Sequence, residues 1–384
     1  MTVPPADPRS NYLARAAEID AAIRRVLESG SYILGREVEL FEQEFAGYLG
    51  EGVHAVGVAN GTDAIMLALK ALGVGPGHVV FTVSLTAVAT VAAVEAAGAI
   101  PFPVDLRPES YTMDPEKLSE AIRFVAEHER LVKGRPAAVL PVHLYGHPAD
   151  MRAINDLARS HGLYAIEDCA QAHGAVLEGT KAGCWADIAT FSFYPTKNLG
   201  ALGDGGAVVT RNPQLAEKLR LLRQYGWRDR TASEIPGHNS RLDELQAAIL
   251  RVKLNYLDED NEKRRAVAAA YSEACAGIGL TLPRSAQGVS HVYHQYVVAT
   301  PFRDELRTYL GEQGIGTAIH YPIPVHMQPA YAGRILPESH SLPITEQLCG
   351  RIASLPMFPE LTEEQVTRVR EAVLAWAAQR TWTR

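Results

Sequence analysis

The stretch SFYPTKNLGALGDGG, from Ser192 to Gly206, decides how the rest of the chain is read. It follows an apolar run, Ile188–Ser192, short enough for a buried strand, and it surrounds one lysine, Lys197, with Pro195, Gly200, Gly203, Gly205 and Gly206. Open α/β sheets bind their ligands in loops beyond strand ends. An amine held in such a cleft loses solvation, its pKa falls, and it becomes a nucleophile able to form a Schiff base with a carbonyl. On its own Lys197 reads as an ordinary loop cation. Its neighbours change that reading.

Upstream, short apolar runs bounded by Gly, Pro or Asn recur at His54–Val58, Val79–Thr82, Ile100–Val104, Ala137–Val142 and Leu163–Ile166, and Gly206–Thr210 follows the loop. Helical patterns lie between most of them, among them Asp63–Leu72, Pro115–Glu127 and Asp150–His161. Such alternation predicts one large α/β domain with a mostly parallel seven-stranded sheet and crossover helices. Two amphipathic helices, Tyr12–Ser29 and Glu37–Leu49, precede it. The run Leu163–Ile166 leads into Glu167-Asp168-Cys169-Ala170-Gln171. A carboxylate at the end of a buried strand is placed to hold a heterocyclic nitrogen protonated, as the pyridinium partner of pyridoxal phosphate does; alone, Asp168 reads as a helix N-cap. The run His54–Val58 leads into Ala59-Asn60-Gly61-Thr62-Asp63 and a helix, where free N–H groups and the helix dipole favour a phosphate. Neither a Walker A loop nor a GxGxxG follows any strand, which removes the mononucleotide and dinucleotide readings. Phosphate cradle, ring-nitrogen carboxylate and Schiff-base lysine thus follow one another along the chain.

Downstream, one long helix is expected from about Arg241 through Tyr256 to Tyr271, bridging to a second domain. There the strand-like VYHQYVV (Val292–Val298), a helix Arg303–Gln313, the Pro-rich HYPIPVHMQPAY (His320–Tyr331) and a final helix Glu363–Gln379 make a small α+β unit. The expected domains are residues 1–245, which bind the cofactor, and 246–384, which include the bridging helix. The 384 residues are 47% apolar and 21% charged, with a net charge of −7 and no basic block, which argues against nucleic acid or an acidic membrane as partner. Cys169, Cys184, Cys275 and Cys349 form no CxxC pair, so neither a disulfide framework nor a zinc cluster is expected, and a reducing cytoplasm fits. No secretory leader is visible, and Leu85–Ile100, which carries Glu95, reads as a buried helix too short to span a bilayer. His143 and His147 stand four apart, but Gly146 and Pro148 make that segment a loop, so no metal site is expected.

With NGTDAIMLAL, EDCAQAHGA, SFYPTKNLGALGDGGAVVT and GHNSRLDELQAAIL in place, the sequence resembles the DegT/DnrJ/EryC1/StrS family of sugar aminotransferases over nearly its whole length. The resemblance implies a fold-type I transferase of the aspartate aminotransferase kind, a homodimer, with pyridoxal 5'-phosphate as cofactor. It makes Lys197 the Schiff-base lysine and later the proton carrier, Asp168 the pyridinium partner and Gln171 the partner of the ring hydroxyl. Gly61 and Thr62 become backbone donors to the phosphate, Ser192 a hydroxyl on it, and Asn239 a residue that reaches the same phosphate from the other subunit. Many members carry an aromatic on the ring where FTVSLTAVAT has Ala87, so the substrate-side face of the ring is expected to be less covered here.

The implied reaction moves an amino group from L-glutamate to a keto group of a dTDP- or UDP-linked deoxysugar. His320, Tyr321 and His326 are expected to shape the substrate pocket, and His143 to lie near the cofactor. Tyr225, which stands where several 4-amino-forming relatives have His, leans the reading towards a 3-keto sugar. Arg228, Arg230 and Arg241 are candidate partners for substrate anions. The alternatives are a 4-keto sugar or cyclitol aminotransferase, a dehydratase on the same cofactor (its relatives have His in place of Lys197), and a non-catalytic pyridoxal-phosphate sensor.

Overall fold

The computed structural model describes residues 2–229, 231–336 and 340–380. Seven strands form the large sheet: β1 (His54–Val58), β2 (His78–Val83), β3 (Ile100–Val104), β4 (Arg135–Val139), β5 (Tyr164–Asp168), β6 (Ile188–Ser192) and β7 (Gly206–Thr210). Their spatial order is β1-β7-β6-β5-β4-β2-β3. The strands from β6 to β3 run parallel, and β7 lies antiparallel to both of its neighbours. The edge strand β3, IPFPV, tolerates two prolines because an edge needs only one row of ladder donors. Helices cover both faces, so the central strands are apolar throughout; Val80, Ala138 and Ile166 join one core, and Phe81, Val139 and Ala165 the other.

The C-terminal unit is built on an antiparallel pair, β8 (Tyr296–Ala299) and β9 (Ile352–Leu355), packed against helices Leu257–Ala274, Arg303–Glu312 and Glu363–Ala378. Two expectations change. The single long helix is two, Glu244–Leu254 and Leu257–Ala274, separated at Asn255–Tyr256. The first packs on helices Ala16–Ser29 and Arg36–Leu49. In addition Val3 lies in the core of the small unit, its N–H donating to the Gly314 carbonyl at 2.9 Å, so the first residues do not stay with the large one. Of VYHQYVV only Tyr296–Val298 is strand; His291–Gln295 is an ordered loop that turns towards the site. Among the described residues no helix is long and apolar enough to cross a membrane.

Candidate active site

A cavity of about 300 Å³ opens beyond the C-terminal ends of β5 and β6, beside the start of helix Gly61–Ala71. Gly61, Thr62, Asp168, Gln171, Ser192 and Lys197 all line it. Parallel pairing of β5 with β6 sets Asp168 opposite Thr190, so that the loop after Ser192 swings Lys197 over the carboxylate.

The Lys197 loop is held by the bridging helices. Asn198 donates through Nδ2 to Asn261 Oδ1 (2.8 Å) and the Val292 carbonyl (3.0 Å), Lys253 Nζ donates to the Gly200 carbonyl (2.8 Å), and the Leu202 N–H donates to Gln246 Oε1 (2.8 Å). A side chain at Gly200 would meet the Pro195 carbonyl oxygen at 2.5 Å, which is why this turn takes glycine. Burial pulls the Lys197 amine down to about 8, with Asp168 opposing the fall.

Asp168 is 3% exposed, and its carboxylate accepts from the Ala170 N–H and the Thr90 hydroxyl, each at 3.1 Å. Burial still pushes its pKa above the ordinary value, against those two donors, Lys197 and His143. Gln171 accepts the Tyr145 N–H on Oε1 at 2.6 Å and directs Nε2 to the Tyr321 hydroxyl at 3.3 Å.

The cradle is equally specific. Asn60 caps helix Gly61–Ala71 by accepting the Asp63 N–H at 2.8 Å, while the N–H groups of Gly61 and Thr62 precede the first intrahelical bond. A Cβ on Gly61 would lie 2.6 Å from Ser192 Cβ, and one on Gly206 would lie 2.5 Å from the Asn60 carbonyl. Backbone, not side chain, therefore faces whatever binds there, as an anion requires. The donor set would suit pyridoxal phosphate, with Gly61, Thr62 and Ser192 available to a phosphate, Asp168 to a ring nitrogen, Gln171 to a ring oxygen and Lys197 to a carbonyl carbon. Ala87 and Thr86 also line the cavity, so at Ala87 only a methyl group faces it.

Other expected residues are placed differently. His143 is wholly buried behind the site. It accepts the Ala149 N–H on Nδ1 and donates from Nε2 to Glu167, both at 3.0 Å, and it does not line the cavity. Glu167 also accepts the N–H groups of Gly183, Trp185 and Ala186, so the cluster of His143, Glu167 and Cys169 has its histidine and carboxylate already engaged. His326 pegs the Pro-rich segment to the large unit through Ser84 (2.7 Å) and Glu346 (3.3 Å) and lies away from the cavity lining. Tyr321 borders the site by accepting from Gln171 Nε2, His320 is bonded to Ser354 Oγ at 2.8 Å, and neither lines the cavity. Burial and the Lys197 charge pull His320 down to about 4, and burial with Asp168 pushes Tyr321 up to about 12.

Tyr225 and Asn239 sit on the surface, on paired backbone segments, and the adjoining Ser240 accepts the Ala59 N–H at the mouth of the cradle. Arg228 is taken up by Glu217 and Glu234, Arg241 has no partner among the described residues, and Arg230 lies outside them. Sequence reasoning missed Thr90, Tyr145 and Asn198. Thr90 had a signal, since Thr86 and Thr90 are polar exceptions four apart in an Ala/Val-rich helical stretch and bond each other at 3.0 Å. The other two had none, because their partners lie far along the chain.

A profile of the DegT/DnrJ/EryC1/StrS aminotransferase family matches residues 14–374. The chain is 50% identical to the dTDP-3-amino-3,4,6-trideoxy-alpha-D-glucose transaminase of Streptomyces venezuelae, over 98% of this chain and 96% of that protein. It is 44% identical to the UDP-N-acetyl-3-dehydro-alpha-D-glucosamine 3-aminotransferase of Acidithiobacillus ferrooxidans, over 97% of both. The structure of S. venezuelae DesV in complex with a ketimine intermediate superposes with a TM-score of 0.93 at 50% identity, covering 98% of each chain. The protein belongs to the DegT/DnrJ/EryC1/StrS aminotransferase family, and its cofactor is pyridoxal 5'-phosphate.

Proposed function

We propose that the protein transfers an amino group from L-glutamate to the 3-keto group of a dTDP- or UDP-linked keto-deoxysugar. It would act in the cytoplasm as a homodimer, Asn239 of each subunit reaching the phosphate held by the other. The observation that carries this reading is the juxtaposition of Lys197, its amine lowered to about 8, with Asp168 at the end of a phosphate cradle. The 3-position is favoured because two relatives at 44–50% identity are named for amination there. Four free cysteines accord with a reducing compartment.

When bound, pyridoxal phosphate supplies a carbonyl for amine exchange and a conjugated ring that accepts the electron pair left at the substrate carbon. The chain's own residues do the rest. Asp168 would pair with a cationic ring nitrogen and hold the proton there. Gln171 would donate from Nε2 to the ring oxygen. Lys197 Nζ, free of the carbonyl, would take the proton from the donor's amine-bearing carbon and return it to the carbon on the other side of the shared nitrogen, and with the keto sugar it would run the same path in reverse. Arg241 is the candidate for a substrate anion, since Arg228 is already paired.

The purified protein should be yellow, and borohydride should fix the cofactor on the peptide containing Lys197. L-Glutamate should bleach that absorbance and release 2-oxoglutarate, and the nucleotide-linked 3-keto sugar should restore it with a higher kcat/KM than its 4-keto isomer. Preference for the 4-keto isomer overturns the position; no bleaching with any amino acid overturns the transamination. The dimer is tested by mixing Lys197→Ala with Asn239→Ala, each weak alone, since hybrids regain activity only if Asn239 acts across subunits.

A further inference from the structure

Tyr145 is buried, 3% exposed, in the loop after β4, with a φ of +60° that bulky residues rarely adopt. Such a conformation persists where the surroundings over-determine it, and here they do. Its N–H donates to Gln171 Oε1 at 2.6 Å, its carbonyl accepts the Gln295 N–H at 3.3 Å, and its hydroxyl donates to the His320 carbonyl. The Tyr111 ring packs edge-on against it, with centroids 5.6 Å apart.

The N–H bond settles which way Gln171 faces. With Oε1 occupied by a donor, Nε2 must point to the other side, where one hydrogen meets the Tyr321 hydroxyl at 3.3 Å. Gln171 therefore turns its amide donor towards the cavity. The hydroxyl bond fixes the next wall, because His320 and Tyr321 belong to the Pro-rich segment of the C-terminal half, and Tyr145 holds the carbonyl between them. Three hydrogen bonds and the His320–Tyr321 peptide thus link Tyr145, Gln171 and Tyr321 into one closed loop beside the cavity. The Pro-rich segment is therefore tied to Gln171 twice, directly at Tyr321 and through Tyr145 at the His320 carbonyl.

We propose that Tyr145 is a positioning residue that spaces the cofactor-side wall, Gln171, from the acceptor-side wall, His320 and Tyr321, and so sets affinity for the keto sugar without governing cofactor loading. The proposal rests on the aminotransferase reading in taking His320 and Tyr321 to border the acceptor. Tyr145→Phe deletes only the bond to the His320 carbonyl and keeps the backbone bond to Gln171.

In the cofactor-loaded variant, the absorbance spectrum, the cofactor Kd and the rate of bleaching by L-glutamate should stay within twofold of the parent. The KM for the keto sugar should rise about tenfold, the loss expected when a buried carbonyl gives up its donor, with kcat within about threefold. Backbone hydrogen exchange in residues 319–323 should accelerate, and this is measurable without any substrate. Tyr111→Phe is the packing control: its hydroxyl is buried without a partner and its ring would remain, so all of these readouts should match the parent. Unchanged exchange at 319–323 in Tyr145→Phe overturns the proposal, as does a fall in cofactor affinity that matches the rise in acceptor KM. If the parent enzyme transfers no amino group, the aminotransferase reading fails, while the exchange measurement still decides whether Tyr145 holds the segment.

Discussion

Asp168→Asn should make the cofactor-free protein more stable at pH 8 while crippling the enzyme. The Asp168 carboxylate is almost wholly buried and receives two hydrogen bonds of 3.1 Å, and its pKa stays raised although Ala170, Thr90, Lys197 and His143 all act to lower it. A carboxyl whose folded pKa is raised binds its proton more tightly folded than unfolded. Stability therefore falls as pH rises from the unfolded value to the folded one, and above that window the chain carries the full cost, ~1.4 kcal/mol for each tenfold gain in proton affinity on folding. Asparagine has no charge to desolvate, still accepts from Ala170 and can donate to Thr90. Lys197 adds little charge to the variant at pH 8, because without Asp168 its amine falls below about 8 and sheds its proton. With an unfolding entropy of ~2 cal/mol/K per residue, the 384 residues give ~0.8 kcal/mol/K, so each ~1.4 kcal/mol becomes ~2 °C in Tm. Melting curves of stripped protein between pH 4 and 8 should show the variant above the parent at pH 8 and the gap closing towards pH 4. The loaded variant should lose ~10²–10³-fold in kcat, the usual cost of removing one preorganised electrostatic partner. A variant that melts below the parent at pH 8, or a gap independent of pH, would refute the reasoning.

Two further outcomes follow from the same cavity. The rate at which stripped protein captures the cofactor, read by stopped-flow absorbance, should rise with pH and level off above about 8, where Lys197 is neutral; Asp168→Asn should move that midpoint lower, and a rise continuing to 10.5 would contradict the lowered amine. Gly61→Ala brings a Cβ to 2.6 Å from Ser192 Cβ at the cradle, so cofactor affinity by equilibrium dialysis should fall at least tenfold, with a stability loss of ~1–3 kcal/mol from overpacking; unchanged affinity would move the phosphate elsewhere.

The strand ladder was legible because each strand is a short apolar run stopped by Gly, Pro or a polar turn, and β1, β3, β6 and β7 match the expected limits residue for residue. Strand β4 ends at Val139, before the apolar letters stop, because Pro141 has no N–H to give the ladder, although the Leu140 N–H still donates to the Phe81 carbonyl at 2.7 Å. The break at Asn255–Tyr256 was invisible, since neither Gly nor Pro marks it and apolar spacing continues through it. Lys197 and Asp168 could be picked out from local sequence, as Asp168 closes its strand and Lys197 stands in the glycine-rich loop beyond the next one. What positions them was not: Thr90 lies 78 residues from Asp168 and Asn198 lies 63 from Asn261, so these bonds exist only once the sheet has brought separate loops together. His143 misled for the converse reason, since its place at a strand end suggests the cavity, and only the fold shows Glu167 drawing it the other way.

The opposite shifts at Lys197 and Asp168 are two consequences of one arrangement. Adjacent parallel strands bring an amine and a carboxylate into the same enclosed volume, and burial disfavours the charged form of each more than their mutual attraction favours it. An ion pair designed for stability would be closed by further donors. Here Asp168 has only two, and no hydrogen bond of the fold engages the Lys197 amine among the described residues. The cradle alongside adds N–H groups and a helix dipole rather than full charge, so a phosphate there is held by geometry and is less sensitive to salt than one held by exposed lysines. A ligand that brings a protonated ring nitrogen to Asp168 and a carbonyl to Lys197 relieves both penalties at once. Cofactor binding should therefore stabilise this fold by more than its contact area suggests.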